Sequence, residues 1–257
     1  MTTMTLLLAP LALCAGMLLM MEVGWRLGRR AAARDAEGFE RRREACRAVD
    51  AAVFALFGLL IAFTFGRSAG RFNERRDLIL EEVNCVGTAW TVLDLLPAAA
   101  QEPAREAMRR YLDARFAVYA ALPDYDAARA AVAVVDERAE KLWHIARGAY
   151  GDKEPHMSLV NDLTDMFSIG SKRTMAMEVH MPTSIVLLLF LLSLGAALLV
   201  GLDMARAPRR SPVQLLAFAV AISMTVWVIL DIEYPRFGLI RIDAHDQPLH
   251  ELRARMG

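Results

Sequence analysis

Residues 51–76, AAVFALFGLLIAFTFGRSAGRFNERR, decide how this chain folds. Ala51 to Gly66 carries no charged side chain; Arg67, Arg71, Arg75 and Arg76 then follow within ten residues. An uncharged run closed by a basic cluster is the pattern of a helix leaving a bilayer. At 1.5 Å per residue it covers about 24 Å of a hydrocarbon core about 30 Å thick. Arg67 can snorkel, and Ser68, Ala69 and Gly70 are uncharged, so the run is still long enough to span.

The rest of the chain repeats this pattern. Of its 257 residues 56% are hydrophobic, yet 23% are charged, and mean hydropathy is +0.30. These values agree when the apolar residues are gathered into segments. Three more segments exist: Met1 to Met21, Met181 to Leu202 and Ser211 to Leu230. The first is longer than a secretory signal core and has no Lys or Arg before it, so it reads as a spanning helix. The tetrapeptide LALC ending at Cys14 hints at a lipoprotein cleavage site, but Leu13 fills the place of a small residue.

The expected fold is therefore all-α and integral to the membrane: four transmembrane helices in two pairs, with an extramembrane helical bundle between them. Residues 1–66 hold the first two helices and a basic connecting loop, 67–180 the bundle, 181–233 the second pair, and 234–257 a polar C-terminal tail.

Orientation follows from Lys and Arg near the span ends. One loop holds Arg26, Arg29, Arg30, Arg34, Arg41, Arg42, Arg43 and Arg47; the loop on the same side holds Arg206, Arg209 and Arg210. The other side has Arg67, Arg71, Arg75, Arg76, Lys172, Arg173, Arg236 and Arg241 near its span ends. The density favours cytoplasmic connecting loops, which places 67–180 outside, in a periplasm if the cell has one.

Breakers at Leu96–Pro97, Pro103, Pro123 and Gly148 to Pro155 divide the middle region. The spacing predicts helices over about 71–96, 103–121, 124–149 and 155–180, the last continuing into the third span. The first has a stripe at Phe72, Arg76, Ile79, Val83, Val86, Trp90 and Leu93, a coiled-coil-like seam with Arg76 inside it. Ala107, Tyr111, Ala114, Val118 and Ala121 mark a face of the second helix; Ala128, Val132, Val135, Ala139, Leu142 and Trp143 mark one of the third.

Gly58, Ala62, Gly66 and Gly70 recur every four residues, a small-residue face that lets another helix approach closely. Beyond it Arg71, Arg75 and Arg76 share a helix with Glu81, Glu82 and Asn84, while Asp231, Glu233 and Arg236 end the fourth span. These nine are the candidate pore-mouth or charge-network residues. Three readings stay open: a solvated belt, salt bridges between subunits, and an inward-facing ring of cations that attracts anions. Acidic residues at the membrane edge need a partner, and the arginines are candidates.

Zero net charge gives no sign of a nucleic-acid partner, and none is expected. Cys14, Cys46 and Cys85 are read as free thiols. His144, His156, His180, His245 and His250 form no metal motif. There is no nucleophile elbow, phosphate-binding glycine loop or zinc spacing, so neither an enzyme nor a cofactor is expected.

The runs ALFGLLIAFTFGRSAGRFNERRDLILEEVNCVGTAWTVLDLLP and LDIEYPRFGLIRID resemble an uncharacterised bacterial membrane family labelled bestrophin-like. The resemblance rests on Arg71-Phe72, Arg75-Arg76, Glu81-Glu82-Val83-Asn84, Gly87-Thr88-Ala89, Asp231-Ile232-Glu233-Tyr234-Pro235 and Gly238-Leu239-Ile240-Arg241. Glu233 stands where the family pattern has a second Asp, and Tyr234 separates it from Pro235. The label implies kinship with bestrophins, oligomeric anion channels with four spans per subunit. It also implies a cytoplasmic middle region, opposite to the arginine count. The expectation is an oligomeric, bestrophin-like protein of the bacterial inner membrane, in contact with lipid, a channel for small ions and for anions first. The alternative is a non-conducting sensor or scaffold whose helical domain binds a ligand or partner.

Overall fold

The structure, a computed structural model, describes residues 3–122, 124–151, 154, 156–205, 211–235, 239–242 and 246–257, leaving aside the side chains of 3–7 and 125. Its helices are α1 (Thr3–Arg34), α2 (Ala36–Val92), a short 3-10 turn (Leu93–Leu95), α3 (Ala98–Ala121), α4 (Tyr125–Gly148), α5 (Met157–Glu178), α6 (Thr183–Met204), α7 (Pro212–Glu233) and α8 (Gln247–Arg255). No strand occurs among the described residues. Two compact units form: Met1–Phe72 with His180–Ile240, and Asn73–Val179 with Arg241–Gly257.

In the first unit, four stretches among the described residues are long and apolar enough to cross a membrane: they lie in α1, α2, α6 and α7. Their outer faces are apolar, with Leu11, Leu19, Phe63, Leu191 and Met224 exposed. That is the surface a helix presents to lipid. Inside, Met17, Phe57, Leu189, Ala196, Ala197, Ala219 and Val226 are buried. The hydroxyls of Thr64 and Ser193 donate to carbonyls of their own helices, Leu60 and Leu189, at 2.6 and 2.7 Å.

Helices α1 and α6 touch backbone to backbone. A Cβ at Gly201 would lie 2.1 Å from the Met21 carbonyl oxygen, and one at Gly24 2.3 Å from that of Leu198. Only glycine allows this approach. Gly16 faces Leu194, while Gly28 faces Ala205. The two helices therefore run in the same direction, which brings their C-terminal ends to the same end of the unit.

The basic connection is not a loop. Helix α1 runs on to Arg34 and α2 starts at Ala36, so the arginines from Arg26 to Arg47 lie on helix ends. Asp35 makes the break: its Oδ1 accepts from the Gly38 N–H at 2.8 Å, an N-cap for α2.

The bundle unit packs Leu93, Met108, Leu112, Leu142, Leu159, Leu163 and Met166 into one core. Asp124 starts α4 by accepting from the N–H groups of Asp126 and Ala127, at 3.1 and 3.0 Å. Pro123 and Pro155 lie outside the described residues. Residues after the fourth span are more than a polar tail. Helix α8 belongs to this unit, and Leu249 and Met256 lie in its core.

Two expectations about register change. The inward side of α2 carries Ser68 and the half-buried Arg71 in the first unit and, in the bundle unit, Arg75, Ile79, Glu82, Val86 and Ala89, continued by Leu93 of the 3-10 turn. Ile79, Val86 and Leu93 belong to the expected seam, but Arg75, Glu82 and Ala89 take the places given to Arg76, Val83 and Trp90. Nor does α5 continue into the third span. It ends at Glu178, and the backbone is extended at Val179 and Pro182 before α6. Pro182 lacks an N–H and disfavours helix at the residue before it.

Candidate functional site

In the membrane unit, Glu233 collects the polar groups at one end. It ends α7, it is fully buried, and its Oε2 accepts from Arg71 Nη2 at 2.5 Å and from the Ser68 hydroxyl at 3.0 Å. Its Oε1 takes the Met181 backbone N–H at 2.7 Å, a donor freed by the break before α6. A buried carboxylate is tolerable only when its lone pairs are filled in this way. Asp231, about half a turn earlier on α7, binds no arginine among the described residues: its Oδ1 and Oδ2 accept from the N–H groups of Leu239 and Ile240, at 2.9 and 2.8 Å. His180 and Tyr234 rings lie 4.7 Å apart at the same end.

The opposite end has its own latch. Arg43, buried near the start of α2, donates to Asp50 at 2.8 Å and through Nε to Asp203 of α6 at 3.2 Å. From Asp50 to Ser68 is about 27 Å along the helix, close to the thickness of a hydrocarbon core.

In the bundle unit, Arg75 caps α5. Its Nε donates to the Ala176 carbonyl at 3.1 Å and Nη2 to that of Val179 at 2.8 Å. The last carbonyls of a helix have no partner within it, and a cation there also suits the helix dipole.

Two turns further along α2, Glu82 is the centre of a buried ionic cluster. Its Oε1 accepts from Arg115 Nε at 2.9 Å, and its Oε2 from the Tyr119 hydroxyl at 2.8 Å and from Arg173. Arg115 also donates to the Thr174 hydroxyl at 2.8 Å, and Arg173 to Asp246, just before α8. The guanidiniums of Arg173 and Arg115 lie 3.8 and 4.9 Å from the Tyr119 ring centroid. Two cations and two anions balance. Burial alone pushes the Glu82 carboxyl up, but Arg115 and Arg173 outweigh it and hold its pKa below the ordinary value. Burial first, then Glu82, pushes the Tyr119 phenol well above its ordinary value. Gly170 lets α5 come this close, since a Cβ there would lie 2.8 Å from the Tyr111 hydroxyl.

The remaining candidates are dispersed. Glu81 and Asn84 are exposed, while Arg76 is half-buried with its Nε lacking a hydrogen-bond partner. Arg236 lies outside the described residues. Gly58, Ala62, Gly66 and Gly70 are all exposed, and a Cβ on any of the three glycines would meet nothing within 4 Å. The close helix contact inside the chain uses Gly24, Gly28 and Gly201 instead. The four-residue step from Gly24 to Gly28 is the signal that could have found it.

Sequence reasoning missed Arg115, Tyr119, Arg173 and Asp246. Arg173, by sequence one of the span-end cations, is 3% exposed and ion-paired on both sides. Arg115 and Tyr119, one helical turn apart on α3 beside the apolar face of Tyr111 and Val118, were the available signal.

These features define an all-helical integral membrane protein with four spanning helices and a separate helical bundle. Residues 15–246 match the Bestrophin-like domain, and the chain belongs to that family. Comparison with curated proteins found no match, and neither did comparison with solved structures.

Proposed function

We propose that this protein is an oligomeric ion-conducting membrane protein of the bacterial inner membrane, with the exposed face of α2 lining the path. One observation carries the reading. The interior of the four-helix unit is filled by apolar side chains, and its buried hydroxyls at Thr64 and Ser193 bond to their own helices. A route for ions then needs a surface shared between copies. Helix α2 offers one, because its exposed face in the span includes Gly58, Ala62, Gly66 and Gly70. Small residues favour close helix association in lipid.

The ion class follows from which charges remain free. Arg71 is engaged by Glu233, and Arg75 by two backbone carbonyls. Among the described residues of α2 from Arg67 to Thr91, the exposed charged side chains are Arg67, Glu74, Asp77 and Glu81, three acids against one base. Acidic rings favour cations, so we read the conducted ions as small cations rather than the anions that an arginine ring would draw.

Particle mass in detergent and ion flux into liposomes test this together. A ring-forming oligomer that passes potassium, with flux reduced in Asp77→Asn and Glu81→Gln, supports it. A monomeric or dimeric particle that passes no ion removes it. Chloride flux insensitive to both substitutions returns the anion reading.

A further inference from the structure

We propose that the groove between α4 and α5 binds a small amphipathic organic cation. It stands whether or not the protein conducts, because it concerns the bundle unit alone.

Two adjoining cavities share Trp143 as a common wall. One, of about 480 Å³, is lined by Asp136, Glu140 and Trp143 of α4 and by Thr164, Phe167 and Ser171 of α5, among others. The second, of about 240 Å³, is lined by Trp143, Ala146, Arg147, Leu159, Val160 and Leu163. Both are open to the surface, so together they form a groove rather than an enclosed pocket.

The chemistry of the larger cavity favours one sign of charge, and Glu140 already draws the His144 ring to 3.5 Å. Asp136 and Glu140 are four apart on α4, and Trp143 follows less than one turn later, so all three share a face. Across from them, the hydroxyls of Thr164 and Ser171 donate to the carbonyls of Val160 and Phe167 in their own helix, at 2.7 and 3.1 Å. Their protons are thus committed, and what they offer a ligand is acceptor oxygen. Carboxylates, acceptor oxygens and the π-faces of Trp143 and Phe167 all favour a positive charge. An ammonium head fits this end.

The smaller cavity is apolar for most of its lining, with Leu159 and Leu163 fully buried beneath it. It would take a short hydrocarbon tail. Arg147 at this end repels a cationic head, so the ligand has one preferred direction along the groove.

The test uses the full chain in lipid nanodiscs, titrated with hexyltrimethylammonium and followed by calorimetry and tryptophan fluorescence. Saturable binding is expected, weakened roughly tenfold in the Asp136→Asn/Glu140→Gln double variant, where the charge term is lost. Trp143→Phe should remove the fluorescence change. Because Asp136 and Glu140 are exposed, the double variant should keep wild-type circular dichroism and melting. Hexanesulfonate and hexanol, with the same tail, should bind at least tenfold more weakly. A response that does not saturate, equal responses to the three probes, or affinity unchanged in a folded double variant would each overturn the proposal.

Discussion

Arg75 and Val179, 104 positions apart in sequence, are joined side chain to backbone, Nη2 to carbonyl oxygen, at 2.8 Å. The bond turns a basic residue near a membrane edge into a structural cap. Arg75→Met should leave two carbonyls unsatisfied and cost about 2 kcal/mol. Arg76→Met, at a half-buried neighbour without that duty, should cost under about 1 kcal/mol. Thermal unfolding of the two variants side by side measures the difference; equal losses would place the cap elsewhere.

Glu82→Gln should cost about 3–5 kcal/mol, because it leaves Arg115 and Arg173 buried with their shared anion removed. Urea unfolding reads this directly. A double replacement, Glu82→Gln with Arg115→Met, should recover part of the loss, since one of the stranded cations goes with its partner.

The same carboxylate sets a pH dependence. Its folded pKa lies below its unfolded one, with the opposing push of burial overcome by Arg115 and Arg173. Its contribution is therefore fully present above the unfolded value, about 4.3, and is lost as pH falls through the folded value. Stability measured from pH 7 downward should fall through the acidic range in the wild type. The fall should be shallower in Glu82→Gln, which starts lower at pH 7.

Glycines on two helices should behave in opposite ways. Gly201→Ala puts a methyl 2.1 Å from the Met21 carbonyl oxygen and should destabilise the chain by several kcal/mol or block its insertion. Gly66→Ala meets nothing in its own chain. It should leave folding intact and, if that face is shared between copies, lower the mass of the particle in detergent.

Glu233→Gln should weaken the end of α7 against α2 and the start of α6 together, because one side chain serves Ser68, Arg71 and Met181. A double-mutant cycle with Arg71→Met should give a coupling of about 1–3 kcal/mol. Additive losses would mean that the pair is not a working ion pair in the folded protein.

Hydropathy made the spans legible. Each of the four segments is uncharged over most of the length a bilayer requires, and nothing else in the chain competes with that pattern. The bundle helices were legible from their breakers and from apolar faces such as Ala107, Tyr111, Ala114 and Val118. The register of α2 was not. Arg75 and Glu82 are buried because other segments supply partners more than thirty residues away, and an apolar-pattern reading assigns any charge to water. Val83 and Trp90 look more like core, but Ala89 and Glu82 sit deeper. The role of α8 was hidden for a related reason. It is nine residues long, and Leu249 and Met256 count as core only beside the groove they enter. The break before α6 was announced by Pro182, but the groups that receive its freed N–H and carbonyls lie on other helices.

The position of α8 has a consequence for how the chain is made. Core residues of the bundle come from both sides of the last two spans: Met108, Leu142 and Leu163 are synthesised before them, Leu249 and Met256 after. Asp246, which pairs with Arg173, is likewise synthesised after them. A nascent chain halted before α8 would therefore hold a bundle with a gap in its core and an arginine short of one partner. Completion of the bundle is in this way tied to the synthesis of α6 and α7, and a product cut before α8 would carry its own defect.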